Sequence, residues 1–567
     1  MKKILFIALI ATSSITAYGA QVAETENDTD TTIVERNIRI EKEYAPTIKE
    51  TKRQTIAYSL QNQTIDKNSV EYSTYAASVH PQSSFYPLEP QKQDVLHRAK
   101  TKNGYAALGF GYPINWLAEG FIPFASTRTT YFDAFIKHDG LAGNGMQLIN
   151  TDLNLLFIQS LSKDMELYST AGYKNKFYNY YGDNDIAEDN SLSLPTLQSI
   201  HDANFLIGLR STQSKRGGLQ YNFNVGYDMM YLQYLKTNEH HVNIAGTVEQ
   251  ELFNNQLLID FNFNTLFYGE IKDINNAGLK NNLVLSIDPS YNMTVGDLKI
   301  KWGAKINFSF LKGQVANISP DIIAEYNIGS RYNVYGGVTG SYKQYSLSST
   351  LEECLYFNPS EELEYNTYTP ADFLAGFRMK PLDGLMIDLN AHYALVYNAH
   401  FFYNKTYEVD SVIQQSNLFT AAYSNMQHFN VGARANYNIK DRYVLHLEGK
   451  YNYYNVKDAD VEAWYMPTWE VSAGAEIIPI ENLNIYADFF FGAGYKSQIY
   501  ESGEYKTVSL SNRYNLNLGV SYTVENRMTI FVKGNNILST IPLLQYEDWY
   551  GYQNFGANIL LGVKVNF

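Results

Sequence analysis

One cysteine in 567 residues, Cys354, is too few for a disulfide framework or a multi-thiolate metal centre. Charge is scarce as well: 18% of the chain, against roughly 25% in an average soluble domain. The charge present is mostly acidic, 58 acids to 44 bases, a net of -14 that excludes nucleic-acid binding through a basic field. Beyond the first twenty residues no apolar run approaches the roughly 20 residues of a membrane-crossing helix, and mean hydropathy is -0.30. Tryptophan is rare, at 5 residues, but 48 Tyr and 30 Phe bring the aromatics to 15%. Tyr forms strands and carries a polar tip on an apolar body, which suits a boundary between apolar and wet surroundings. The composition therefore describes a large all-β protein.

The N-terminus predicts export. Lys2 and Lys3 precede an apolar stretch from Ile4 to Ile10, and Ala17-Tyr18-Gly19 offers small residues at a cleavage site. We read residues 1–19 as a secretory signal peptide cut after Gly19. Cys354 lies far downstream, so the mature N-terminus has no cysteine to acylate. Residues 20–103 are polar and interrupted by Pro46, Pro81, Pro87 and Pro90, and read as a periplasmic tail or partial plug. Its one patterned stretch, Val34 to Glu41, alternates as a strand would. From Gly104 to Phe567 the texture is uniform.

That region alternates with period two. Leu385, Ile387, Leu389, Ala391 and Tyr393 share one face of a strand, with Asp388, Asn390 and His392 on the other; Leu516, Leu518 and Val520 oppose Asn515, Asn517 and Gly519. Short polar turns fall at 161–164, 253–256, 295–297, 329–331, 382–384, 439–442, 480–482 and 524–527, where Gly, Asn and Asp supply hairpin conformations. The intervening connections at 178–199, 348–368, 403–424 and 458–464 are longer and more acidic. Short turns on one side and long loops on the other predict a transmembrane antiparallel β-barrel of about 22 strands, with short periplasmic turns and longer extracellular loops. Closure follows from the cost of unpaired amides in lipid, several kcal/mol each. Asp260, Lys301, Asp388, His392, Arg434, Glu448 and Asp488 fall on the hydrophilic wall and are expected to face the lumen. Tyr403, Tyr443, Tyr451, Tyr453, Trp464, Trp469 and Trp549 sit near segment ends, as girdle residues do.

The stretch Val532 to Leu538, continuing through Trp549-Tyr550-Gly551-Tyr552 to the terminal Gly562 to Phe567, resembles the last two strands of TonB-dependent receptor barrels. The segment Glu41 to Ile48 resembles the motif that precedes the barrel in receptor-like proteins of Bacteroidota. The resemblance implies an outer-membrane barrel for solute passage or ligand capture. It also implies recognition of the terminal Phe567 by the barrel-insertion machinery and a periplasmic energy-transducing partner. Residues 20–103 are shorter than the plug that such receptors carry in the lumen, so the tail and inward-folded loops are expected to obstruct the bore.

Enzyme chemistry has thin support. His392 with Asp388 and His446 with Glu448 are the base–acid pairs a barrel hydrolase would use, but neighbours on one wall pair by geometry alone. No G-x-S-x-G, H-E-x-x-H or P-loop pattern occurs. We expect no catalytic site, cofactor or metal. Acidic clusters at 183–189 and 352–364 lie in long loops; either could bridge divalent cations to lipopolysaccharide. The alternative to a receptor is a docking barrel in an envelope assembly, holding a surface lipoprotein or periplasmic protein with its Tyr-rich loops.

Overall fold

The computed structural model describes residues 104–567 except 144, 183–196, 213–217, 234–235, 270–278, 311–313, 362, 410–411 and 440–441. The expected signal peptide, the tail and the Val34 to Glu41 strand lie outside them, as does the acidic cluster at 183–189.

A single sheet of 22 antiparallel strands runs from Tyr105–Tyr112 to Asn558–Asn566. These two strands pair with each other, Tyr105 opposite Asn566 and Tyr112 opposite Ile559, so the sheet closes into a barrel. The Phe567 amide donates to the Gly104 carbonyl at 2.8 Å, completing the seam. Both strand-chain ends therefore lie at one end of the barrel, as the even strand number requires.

Seven of the eight expected short turns fall at that same end, which we call the near end; the central residues of the eighth, 440–441, lie outside the described residues. Their chemistry explains their tightness. Phe253-Asn254 and Glu525-Asn526 hold both central residues at positive φ, the backbone twist that matches two adjoining strands. At Gly384 (φ 84°) a Cβ would meet the Asn438 carbonyl oxygen at 2.1 Å, so only glycine fits.

The wall is inverted relative to a water-soluble protein. Leu389, Leu518, Val520, Leu561 and Val563 on the outer face are each 40–58% exposed, whereas Asp388, Asp321, Asn430, Asn452 and Asn517 are buried. Inside, side-chain amides bond across strands: Asn243 donates to Asn262 and Asn264 at 2.7 and 2.6 Å, and Ser286 donates to Asn307 at 2.6 Å. Polar groups facing inward thus find partners in one another.

Two strands depart from the rest. Leu385–Val409 and Val412–Ile439 run 25 and 28 residues, far beyond the roughly ten needed to cross a bilayer. Of the stretch 403–424, expected as a loop, residues 403–409 and 412–424 continue this hairpin past the barrel rim.

Candidate functional site

At the far end several connections turn inward and share one hydrophobic core. Its members come from opposite sides of the ring. Tyr178, Ile200 and Met230 belong to the fifth, sixth and seventh strands, and Val396 and Met426 to the fifteenth and sixteenth. In a ring of 22 those positions are nearly diametric, so a core that joins them spans the mouth. The span is aromatic. Tyr178 meets Tyr180 edge-on at 5.8 Å, Tyr180 contacts Tyr356 at 6.3 Å, and Tyr356 stacks on Tyr552 at 3.6 Å. Phe419 then contacts both Tyr552 and Trp549, at 6.3 and 4.8 Å. Phe357, Phe419, Leu347 and Tyr552 are wholly buried. We call this assembly the cap.

Local sequence positions each part. Asn398 takes a left-handed φ of 54° where the register slips between Val396 and Ala399. Asn tolerates that conformation, and a bulge bends its strand. Beyond the bend the period-two pattern ends: Phe401 and Phe402 are both buried. The helix Leu347–Glu353 starts at a capping box of Ser346 and Ser349. The Leu347 amide also donates to Glu239 Oε2 at 2.6 Å, tying the helix to the wall. After the helix the chain pairs with the long hairpin, Phe419 donating to the Tyr356 carbonyl at 3.0 Å and Asn358 to the Phe419 carbonyl at 2.8 Å. Beneath the helix a polar cavity of about 250 Å³ is lined by Lys174, Asp202, Asp228, Glu239, His241 and Glu352.

The helix ends on Glu353, an acid at the terminus where negative charge is disfavoured. Burial alone would raise its pKa. His400, whose Nε2 lies 2.5 Å from Oε2, and Lys343, bonded to Oε1, outweigh burial and hold the carboxyl down at about 2. Asp548 in another cap loop shows the opposite balance: burial pushes it up against the lowering effects of Arg513 and Asn554.

The lumen candidates divide into paired groups. Arg434 holds Glu448 with two bonds, Nε to Oε2 at 3.1 Å and Nη2 to Oε1 at 3.0 Å, and Lys450 joins Glu448 at 2.8 Å. Lys301 pairs with Asp321 at 2.6 Å. Asp388 is held by Arg378 at 3.0 Å and accepts from Tyr335 at 2.7 Å. Thr247 donates to Asp260 at 2.6 Å, and Asp488 lies in register between Gly474 and Asn517. Neither supposed catalytic pair forms. His392 lies 3.4 Å from Asp372 on the next strand rather than on Asp388, and Glu448 is taken by Arg434 and Lys450 rather than His446.

Other expectations also shift. Tyr443, Tyr453 and Trp469 stand exposed as girdle residues would, but Trp464 and Trp549 are buried in the cap. In the acidic cluster at 352–364, Glu353 pairs as above and Glu361 pairs with Lys405 at 2.5 Å. No group of His, Cys, Asp and Glu able to hold a metal occurs among the described residues. Inward-folded loops were expected to obstruct the bore; that they share one aromatic core, with Trp464 and Trp549 inside it, was the feature sequence reading missed.

No family model and no curated protein matches the sequence. Solved structures do. The pyoverdine outer-membrane receptor FpvA from Pseudomonas aeruginosa, bound to pyoverdine, superposes with a TM-score of 0.60 at 12% identity, over 83% of this chain and 79% of the receptor. The siderophore receptor PirA from Acinetobacter baumannii gives 0.59 at 9% identity, over 82% of this chain and 81% of that one. The ferric enterobactin receptor PfeA from P. aeruginosa gives 0.58 at 11%, over 82% and 80%. The fold is shared with siderophore receptors.

Proposed function

We propose that this chain is an outer-membrane receptor-like barrel of the TonB-dependent type, which captures a ligand at its capped mouth and admits solute only when the cap moves. The observation that carries this reading is the aromatic core spanning the ring from the fifth strand to the sixteenth. A general diffusion pore would leave that path open. The inverted wall supports placement in a bilayer, with the near-end turns in the periplasm and the cap outside. In this reading residues 1–19 are the signal peptide and 20–103 the periplasmic tail. Phe567 is read by the insertion machinery, and an energy-transducing partner would meet the protein at its periplasmic tail. The cap meets lipopolysaccharide at its rim. The polar inner wall, including Asp260, Lys301, Asp388, His392, Arg434, Glu448 and Asp488, forms the solute path.

The docking-barrel alternative relied on Tyr-rich loops as a binding surface. Many of those tyrosines are occupied: Tyr180, Tyr356, Tyr465, Tyr546 and Tyr552 are buried within the cap.

Planar-bilayer recording tests the proposal. The intact protein should conduct poorly, and deletion of 346–366, which removes the helix and Tyr356, should raise conductance several-fold. A wide, open conductance from the intact protein would overturn the capped-receptor reading. Heat-modifiable gel migration of the membrane fraction checks the barrel independently.

A further inference from the structure

The barrel wall is not equally tall all round. Three consecutive strands at the seam are short: Met528–Asn535 and Tyr105–Tyr112 have 8 residues each, and Asn558–Asn566 between them has 9. At about 3.3 Å per residue and a tilt of roughly 40°, eight residues rise only about 20 Å, short of an apolar band about 25 Å tall. The connection that leaves this stretch at the far end is unusual among the cap loops. From Asn535 to Gln545 it carries no charged residue. Ile541 is 46% exposed and Leu543 is 89% exposed.

Its placement is fixed by Gly534. Met528, Ile530 and Val532 form the exposed outer row of their strand, and Gly534 continues that row by alternation. A Cβ on Gly534 would meet Ile537 Cδ1 at 3.1 Å, so Ile537 lies over the outer face of the wall. The turn Ile537–Thr540 therefore folds back outside the barrel instead of into the mouth. It packs beside Arg513–Val524. Tyr112, Ile114 and Ile559 extend the same apolar surface at the far end of the seam, at 79%, 68% and 50% exposure.

We infer that the segment 537–544 inserts among the acyl chains of the outer leaflet and completes the lipid-facing wall where the closing strands are too short. The partner is lipid: the segment has no charge to recognise a headgroup, and it is continuous with the apolar wall. This inference rests on the membrane reading above. The only native cysteine, Cys354, is wholly buried, so a fluorophore can be attached selectively at Leu543→Cys, with Leu518→Cys on the wall and Glu501→Cys on the far-end hairpin of Lys496–Glu501 and Glu504–Ser509 as references. In liposomes containing doxyl-labelled phospholipid, the Leu543 label should be quenched like the Leu518 label, and the Glu501 label should not. Quenching at Leu518 with Leu543 as unquenched as Glu501 would overturn the insertion and leave the membrane reading standing. No quenching at either position would sink both. Leu543→Asp gives a second readout: the unfolding midpoint should fall in bilayers and hold in detergent, and an unchanged bilayer midpoint would count against the inference.

Discussion

The wall and the cap of this protein obey opposite packing rules within one chain. In the wall, Leu518 and Leu389 face outward while Asp388 and Asn517 are buried; in the cap, Phe357, Phe419 and Trp549 are buried. The same residue types choose opposite sides because the surroundings differ. In the membrane reading proposed above, a bilayer accepts hydrocarbon and penalises amides and charge, so the wall turns its polar groups inward and pairs them. The cap meets water, so hydrocarbon leaves the surface and the hydrophobic effect assembles a conventional core. The boundary between the two rules on the long hairpin is the bulge at Asn398.

Substitutions can break the comparison on either side. Phe419→Ala should cost the cap about 3–5 kcal/mol, as truncations of buried aromatics do. Conductance should rise while heat-modifiable migration is retained; a barrel that unfolds with the cap would show that the regions are one cooperative unit. Leu518→Arg attacks the other rule. At the bilayer midplane it should cost about 2–4 kcal/mol, read as lower folding yield into liposomes, with little effect in a detergent that lets the charge reach water. The junction comes next. Asn398→Val places a β-branched residue at positive φ and should cost roughly 1–2 kcal/mol, whereas Asn398→Gly should be close to neutral; protease protection of the cap separates them.

Smaller effects sharpen the picture. Arg434→Gln removes a bidentate pair from a partly exposed inner wall, for a loss of about 1 kcal/mol or less in denaturant titration. Acid should distinguish the regions through Glu353. Its carboxyl sits at about 2 in the folded cap against an ordinary 4.5, so its stabilising contribution is complete above about pH 4.5 and declines as pH falls toward 2. Cap proteolysis followed over that window should rise in the native chain and rise less steeply in Glu353→Gln.

The wall was legible because its signal is local. Alternation along Leu385 to Tyr393 and turn residues such as Asn254 and Gly384 state strand faces and hairpin ends without reference to distant parts, and both agree with the fold. The site was less legible. His392 and Asp388 share a face four residues apart, about 13 Å along a strand, whereas Asp372 is brought within reach from the neighbouring strand. Trp464 and Trp549 carried the composition of girdle residues and became core. Past Asn398 the period-two pattern gives way because both faces are covered, which hid the hairpin's continuation.

By itself the sequence determined that the chain is all-β, where its turns fall, which side of each strand is apolar, and that the two walls differ. Each of these depends on a residue and its near neighbours along the backbone. Only the tertiary structure decided which acid meets which base, which loops cross the mouth, and that one loop folds outside the seam. Those outcomes depend on residues far apart in the chain, such as Tyr356 and Tyr552, arriving at one place when the ring closes.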